Sequence, residues 1–289
     1  MKFGIYLPNF GPFGDARALA RLAALAEQAG WDGIFIWDHI NRALEVDVVD
    51  ATVALAAMAS ATSRIRLGAM VTPLARRRPW KVARESASLD RLSGGRLVLG
   101  VGLGSGGGSQ IEWANFGEET DLKRRAGMLD EALQIITGLW SGRPFAFEGQ
   151  YYTVRESRFR PSPLQSPRIP VWVAGNWPNR PPFRRMARWD GMMPEVDLRA
   201  GDELAQLAEA VRFTKEQRAG AGLFDVAYSV PPLRRPDPAS APARVAAFAE
   251  ASVTWLLEQL YPRHFGADWE GAWPLEEMEA YLTQGPPRA

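Results

Sequence analysis

The chain has 289 residues, a formal net charge of +1, two histidines and no cysteine. That balance gives no electrostatic reason to expect nucleic acid or an anionic membrane as partner, and no apolar run approaches the roughly 20 residues that span a bilayer. Disulfides, thiolate nucleophiles and thiolate ligands are excluded, and two histidines far apart in sequence leave no basis for a zinc site, so no metal is expected.

The N-terminus enters a strand-like run at residues 3–7 with no basic segment and apolar signal region before it, which points to a cytoplasmic protein. Asp15 is placed to cap a helix reaching Ala29, with Leu19, Leu22, Ala23 and Ala26 on one face and Gly30 at its end. A strand follows at 34–37, a helix at 48–61, a strand at 65–71, a helix opened by Pro79 and stopped by Gly94-Gly95, and a strand at 97–101. Four strand–helix units joined by short turns imply parallel strands with right-handed crossovers.

The second half is less regular. Thr120 is a candidate cap for a helix through Trp140, and an aromatic- and proline-rich excursion at 141–170 contains Phe145-Ala-Phe and Tyr151-Tyr152 around Gly149, a hairpin pattern outside the barrel. Strands are expected at 171–174, 191–193, 225–230 and 253–257, with helices at 183–189, 202–218, 242–251 and from Pro274 onward. Eight strands predict an α/β fold of a single (β/α)8 barrel over residues 1–289. A doubly wound sheet is the rival, because Gly102-Leu-Gly104-Ser-Gly106-Gly107 matches a dinucleotide-binding glycine pattern. That motif should open a helix at once in the first βαβ unit. Here it follows the fourth strand, with no helical stripe until Leu122, so only a phosphate- or cofactor-cradling loop is retained.

The chain is organised around Gly30-Trp-Asp-Gly-Ile-Phe-Ile-Trp-Asp-His39. Ile34-Phe-Ile-Trp37 is a continuous apolar run, as in a strand buried on both faces, and it ends in a carboxylate and an imidazole. Polar groups at the carboxyl ends of barrel strands sit on the active-site face, which makes Asp38 and His39 the candidate catalytic pair. The bland alternative makes Asp38 a turn residue and His39 a passive lining. Trp37, Trp177 and Trp255 fall at or just beyond expected strand ends, where they could wall a substrate or ring site; core packing explains each equally well. Trp269 and Trp273 are expected to pack the terminal segment over the barrel. Glu112, Glu118 and Glu119 read as charged surface, and Arg76-Arg-Arg78 as a loop-borne basic run.

Taken together, Gly4-Ile-Tyr-Leu-Pro-Asn9, Ala29-Gly-Trp-Asp-Gly-Ile-Phe-Ile-Trp-Asp-His39, Arg64-Ile-Arg-Leu-Gly-Ala-Met-Val-Thr-Pro73, Leu89-Asp-Arg-Leu-Ser-Gly-Gly-Arg-Leu-Val-Leu-Gly-Val-Gly102, Ile169-Pro-Val-Trp-Val-Ala-Gly175 and Ala187-Arg-Trp-Asp-Gly191 resemble the luciferase-like monooxygenase superfamily of flavin- and deazaflavin-dependent barrels. The resemblance spans almost the whole chain. It implies a flavin-type ring at the carboxyl face, with a non-proline cis peptide near the end of strand three, matched to Met70-Val71 next to Ala69. It also implies a cofactor phosphate among the amides of Gly104, Ser105, Gly106 and Gly107 and of Ala174, Gly175 and Asn176, with Arg184 nearby; such amides suit an anion on electrostatic grounds.

Within that superfamily the Asp38-His39 pair resembles the branch that uses coenzyme F420, in which the imidazole takes part in hydride transfer at deazaflavin C5 to or from a small organic substrate. Histidine, with an ordinary pKa of about 6.5, can give or take the accompanying proton near neutrality, and Asp38 could orient it. The basic run at 76–78 would then attract the acidic tail of F420. One departure is Ser105, where sugar-phosphate dehydrogenases of this branch carry a glutamate, which puts that substrate class in doubt. The alternatives are an FMN-dependent monooxygenase, which would need a flavin reductase as partner, and a non-catalytic flavin-binding barrel. The loops at 103–119, 141–170 and 233–242 are expected to set the substrate, and a homodimer is the family expectation.

Overall fold

The computed structural model describes residues 1–42, 45–104, 111–220 and 222–287. Its first half runs β1 (Lys2–Leu7), α1 (Ala16–Gln28), β2 (Gly33–Ile36), α2 (Ala51–Ala61), β3 (Arg66–Ala69), β4 (Thr72–Pro73), α3 (Pro79–Leu92), β5 (Leu99–Gly102), α4 (Ile111–Ala114) and α5 (Leu122–Trp140). A hairpin, β6 (Phe145–Glu148) and β7 (Thr153–Ser157), precedes β8 (Val171–Asn176), α6 (Arg180–Met186), β9 (Gly191–Glu195), α7 (Glu203–Glu216), β10 (Asp225–Val230), α8 (Ala241–Glu250), β11 (Trp255–Gln259) and α9 (Leu275–Thr283).

Nine strands form one parallel sheet in the order β3-β2-β1-β11-β10-β9-β8-β5-β4. β3 and β4 are a single stave interrupted by Met70 and Val71, which are joined by the expected cis peptide. A parallel bridge between Leu67 and Leu97, with the Val98 amide donating to the Leu67 carbonyl at 2.9 Å, closes the ring. The fold is the expected (β/α)8 barrel, and the β6–β7 hairpin lies outside it as a separate antiparallel sheet. Among the described residues no helix is long and apolar enough to cross a membrane.

Local chemistry sets the element boundaries. Asp15, Asp50, Asp121 and Asp202 each accept a hydrogen bond from an amide in the first turn of the helix they precede, α1, α2, α5 and α7, at 2.6, 3.0, 2.7 and 2.8 Å. The cap of α5 is therefore Asp121, one residue beyond the expected Thr120. Glu131 of α5 fastens the hairpin by accepting from the amides of Gln150, Tyr151 and Tyr152. α6 starts three residues before expectation because Pro181 and Pro182 are tolerated in a first turn, where no intrahelical N–H is needed.

Two apolar layers result. One lies between the strands and the surrounding helices, and the other fills the barrel with Phe35, Met70, Val98, Trp172, Met193, Ala227, Trp255 and Leu257. The Phe35, Trp172 and Trp255 rings meet with centroids 5.4 to 5.9 Å apart. Gly33 makes room for them, since a Cβ there would come within 2.6 Å of Phe35 and 2.8 Å of Trp255. β11 begins at Trp255, two residues later than expected; Ser252 takes a left-handed turn (φ 65°) and Val253-Thr254 carry the chain into the sheet. That shift moves Trp255 to the amino end of its strand, with Lys2 Nζ 5.0 Å above its ring, so it packs the barrel and is no part of the mouth.

Candidate functional site at the carboxyl mouth of the barrel

A cavity of about 650 Å³ opens at the carboxyl ends of the strands. Tyr6 and Trp37 line one side, Met70, Val71, Gly102 and Gly104 another, and Ala174, Gly175, Asn176 and Glu195 a third. Asp38, His39, Arg76 and Glu112 form its charged wall, and Lys123, Asn179 and Arg185 also border it.

His39 is fixed through its backbone. The buried Asn9, just after β1, accepts from the His39 amide at 3.1 Å and donates to its carbonyl at 2.8 Å. The imidazole lies edge-on to Trp37 and Phe10, with centroids 5.4 and 5.8 Å away. Its Nδ1 lies 3.1 Å from Oε2 of Glu112. Oε1 of the same carboxylate accepts from the amides of Ile40 at 2.6 Å and Asn41 at 3.0 Å, and Arg76 Nη1 approaches Oε2 to 3.2 Å. Burial alone pushes the Glu112 carboxyl up, but the hydrogen bonds from His39 and the Asn41 amide, with the charges of His39 and Arg76, outweigh it and hold the pKa at about 2. An ionised carboxylate only accepts, so Nδ1 carries a proton and Nε2 is the ring position left for exchange. Among the described residues Nε2 has no protein partner.

Asp38 does not orient His39. Its carboxylate takes Arg77 Nη2 at 2.6 and 2.8 Å and lies 3.6 Å from Arg76 Nη2, while Arg76 also donates to the Asp38 carbonyl at 2.6 Å. A carboxylate buried beside two guanidinium groups is neutralised by them, which leaves the partner role to Glu112. Arg76 and Arg77 correspondingly turn inward and do not form a solvated rim. Glu112, expected as surface, is 1% exposed. It sits on the short helix α4, which Trp113 anchors: its indole N–H donates to the Gly104 carbonyl at 3.1 Å and Arg125 stacks 3.4 Å above its ring. The only sequence signal was a carboxylate set between the large apolar residues Ile111 and Trp113.

The other expectations divide. Met70, Val71, Gly104, Ala174, Gly175, Asn176 and Trp37 line the cavity. Ala69 lies behind the barrel wall, beside a second small cavity. Trp177 is buried between Phe183 and Phe213 and does not face the cavity. Arg184 points to solvent, and its neighbour Arg185 reaches the cavity instead, held by Asp130 at 2.8 Å. Ser105, Gly106 and Gly107 lie outside the described residues. Two first-turn positions of α6 are prolines without an N–H, so that helix end offers fewer anion donors than expected. Sequence reasoning passed over Tyr6, whose hydroxyl donates to the Met70 carbonyl beside the cis peptide, and Glu195 at the end of β9.

A sequence profile described as luciferase-like monooxygenase matches residues 1–287. An F420-dependent glucose-6-phosphate dehydrogenase from Kineococcus radiotolerans is 35% identical over 163 residues, 55% of this chain and 47% of that protein. The chain thus spans about half the length of this relative. Two solved structures share the fold: a monooxygenase, RslO1, from Streptomyces bottropensis (TM-score 0.74, 20% identity, 98% of this chain and 96% of that one) and a coenzyme F420-dependent tetrahydromethanopterin reductase from Methanopyrus kandleri (TM-score 0.74, 18% identity, 98% and 96%). With the profile covering nearly every residue of the barrel, the chain belongs to the luciferase-like monooxygenase family.

Proposed function

We propose that the chain is an F420-dependent oxidoreductase that exchanges a hydride with a small organic substrate, with His39 as acid–base residue and Glu112 as its positioning partner. The observation that carries this reading is the 3.1 Å contact between His39 Nδ1 and the buried Glu112 carboxylate on the wall of the cavity. The similarity to the dehydrogenase from Kineococcus radiotolerans favours the deazaflavin over FMN.

The cavity fits such a group. Its volume is within the usual range for bound cofactors, about 300–1,000 Å³. Met70, Val71, Gly102, Ala174 and Gly175 line it with largely apolar surface against which a ring could lie. Among the described residues the side-chain amides of Asn176 and Asn179 and the ammonium of Lys123 have no protein partner, so they are available to a phosphate. Bound there, the deazaflavin would supply two-electron chemistry at C5.

The protein's part is to move the proton. When an alcohol is oxidised, His39 Nε2 takes the hydroxyl proton, and Glu112 stabilises the resulting imidazolium through Nδ1–H. When a double bond is reduced, the same nitrogen returns the proton. Asp38, held by Arg76 and Arg77, fixes the turn that carries His39. The absence of a glutamate at Ser105 is met by Glu112, which acts through His39 and not as a donor itself.

The test is F420-linked turnover on a panel of small alcohols and unsaturated carbonyl compounds. His39→Ala should lower kcat about 10²–10⁴-fold with F420 affinity within a few-fold of wild type, and Glu112→Gln should lower kcat by about tenfold or more. Full activity in His39→Ala would remove the acid–base assignment. Oxygen consumption with reduced FMN and no F420 turnover would move the function to the monooxygenase branch.

A further inference from the structure

We propose that Arg125 is a positioning residue for the His39–Glu112 pair: its guanidinium clamps the start, the middle and the end of the segment that brings Glu112 to His39. The inference rests on the proposed function only for its consequence for turnover.

Glu112 reaches His39 from α4, a helix of a single turn, and so short a helix does not hold its shape by its own hydrogen bonds. Contacts from outside α4 must fix it. On the mouth side the carboxylate meets His39, Arg76 and the amides of Ile40 and Asn41. On the far side stands Arg125, buried in the first turn of α5. Its Nη1 donates to the Leu103 carbonyl, just beyond β5, at 3.3 Å. Its Nε donates to the Glu119 carbonyl, just before the cap of α5, at 2.6 Å. Between those two ends its flat face covers Trp113, the neighbour of Glu112, with 3.4 Å from the guanidinium carbon to the ring centre. Trp113 is in turn seated on Gly104, where a Cβ would come within 2.8 Å of the ring.

The clamp is not an ion pair. Among the described residues Arg125 has no carboxylate in salt-bridge contact, and the Glu119 carboxylate goes to Arg124 at 2.5 Å. Two carbonyls and an aromatic face answer the buried charge instead. Only a planar fork can donate in two directions while its face stacks on a ring, so lysine is a poor substitute here. Without the clamp α4 is released and Glu112 withdraws from Nδ1. No acceptor then decides which nitrogen of His39 holds the proton, and Nε2 is left bare for only part of the time.

Nitrogen-15 spectra of the imidazoles of cofactor-free protein test this at about pH 9, well above the ordinary histidine value. The chain has two histidines, and His264, with Nε2 2.7 Å from Gln259 Oε1, is the reference that should not change. In wild type His39 should show a protonated Nδ1 and a bare Nε2. Arg125→Met should spread the proton over both nitrogens, and Arg125→Lys should do so in part; if Arg125→Met does not fold, Arg125→Lys decides. The double variant Arg125→Met/Glu112→Ala should match Glu112→Ala alone, because Arg125 acts through Glu112. An unchanged His39 in the Arg125 variants would overturn the proposal, since the contacts at the mouth would then hold Glu112 by themselves. So would a change in the double variant beyond that of Glu112→Ala, or a wild-type His39 protonated at Nε2. In F420-linked turnover Arg125→Met should lower kcat by about tenfold or more, with F420 affinity within a few-fold of wild type. If wild type shows no F420-linked turnover the reaction falls, while the spectra still decide the role of Arg125.

Discussion

A histidine becomes useful when its neighbours decide which nitrogen holds the proton. In this barrel that decision is made by Glu112, which accepts from His39 and from two backbone amides at once. The carboxyl is held at about 2 against an ordinary 4.5, which corresponds to about 3 kcal/mol of stability. Because the folded value is the lower one, that stabilisation is complete above pH 4.5 and is lost as pH falls from 4.5 towards 2. Urea unfolding should therefore find wild type more stable than Glu112→Gln at neutral pH, with the gap narrowing as the solution is acidified below the ordinary glutamate value. A gap independent of pH would mean that Glu112 is not ionised in the folded protein.

At the scale of elements, the site depends on how α2, α3 and β3 are held behind the barrel wall. Arg96 does this with no carboxylate in contact among the described residues. It donates to the carbonyls of Ala59, Thr62, Ile65 and Ser93 at 2.5 to 3.0 Å and to the Thr62 hydroxyl at 2.8 Å. Those of Ala59, Thr62 and Ser93 lie at the carboxyl ends of α2 and α3, where a cation also faces favourable helix dipoles, and that of Ile65 immediately precedes β3. Arg96→Met leaves them unpaired and should cost about 3 kcal/mol by chemical denaturation, with F420 binding by the folded fraction preserved. A loss below about 0.5 kcal/mol, the scale of an ordinary surface substitution, would show that water replaces the guanidinium without penalty.

At the scale of the whole molecule, the fold was legible because it is local: Asp15 and Asp50 cap, Leu19 to Ala26 form a stripe, and Ile34-Phe-Ile is a buried strand. The placement of Asp38 and His39 at the mouth was legible for the same reason. The partner of His39 was not, because Glu112 lies 73 residues away and reaches it only after the barrel closes. Trp255 was misplaced because a continuous apolar run does not mark where a strand begins, and a shift of two residues exchanges one end of a barrel for the other. Arg184 and Arg185 were indistinguishable in sequence, since their helical phase depends on where Pro181 and Pro182 start α6. The terminal segment behaved as expected: Trp269 and Trp273 pack on Phe10, and Trp269 also meets Trp37 and Tyr261 over the β1–β2 side of the mouth.

The central claim is that this mouth holds a deazaflavin beside His39 and Glu112. It is tested most directly by titrating the purified protein with F420 and, separately, with FMN, following tryptophan fluorescence, because Trp37 lines the cavity and reports its occupancy. The account predicts saturable quenching by F420 at concentrations well below those needed for FMN. Tight FMN binding with no response to F420 would contradict it.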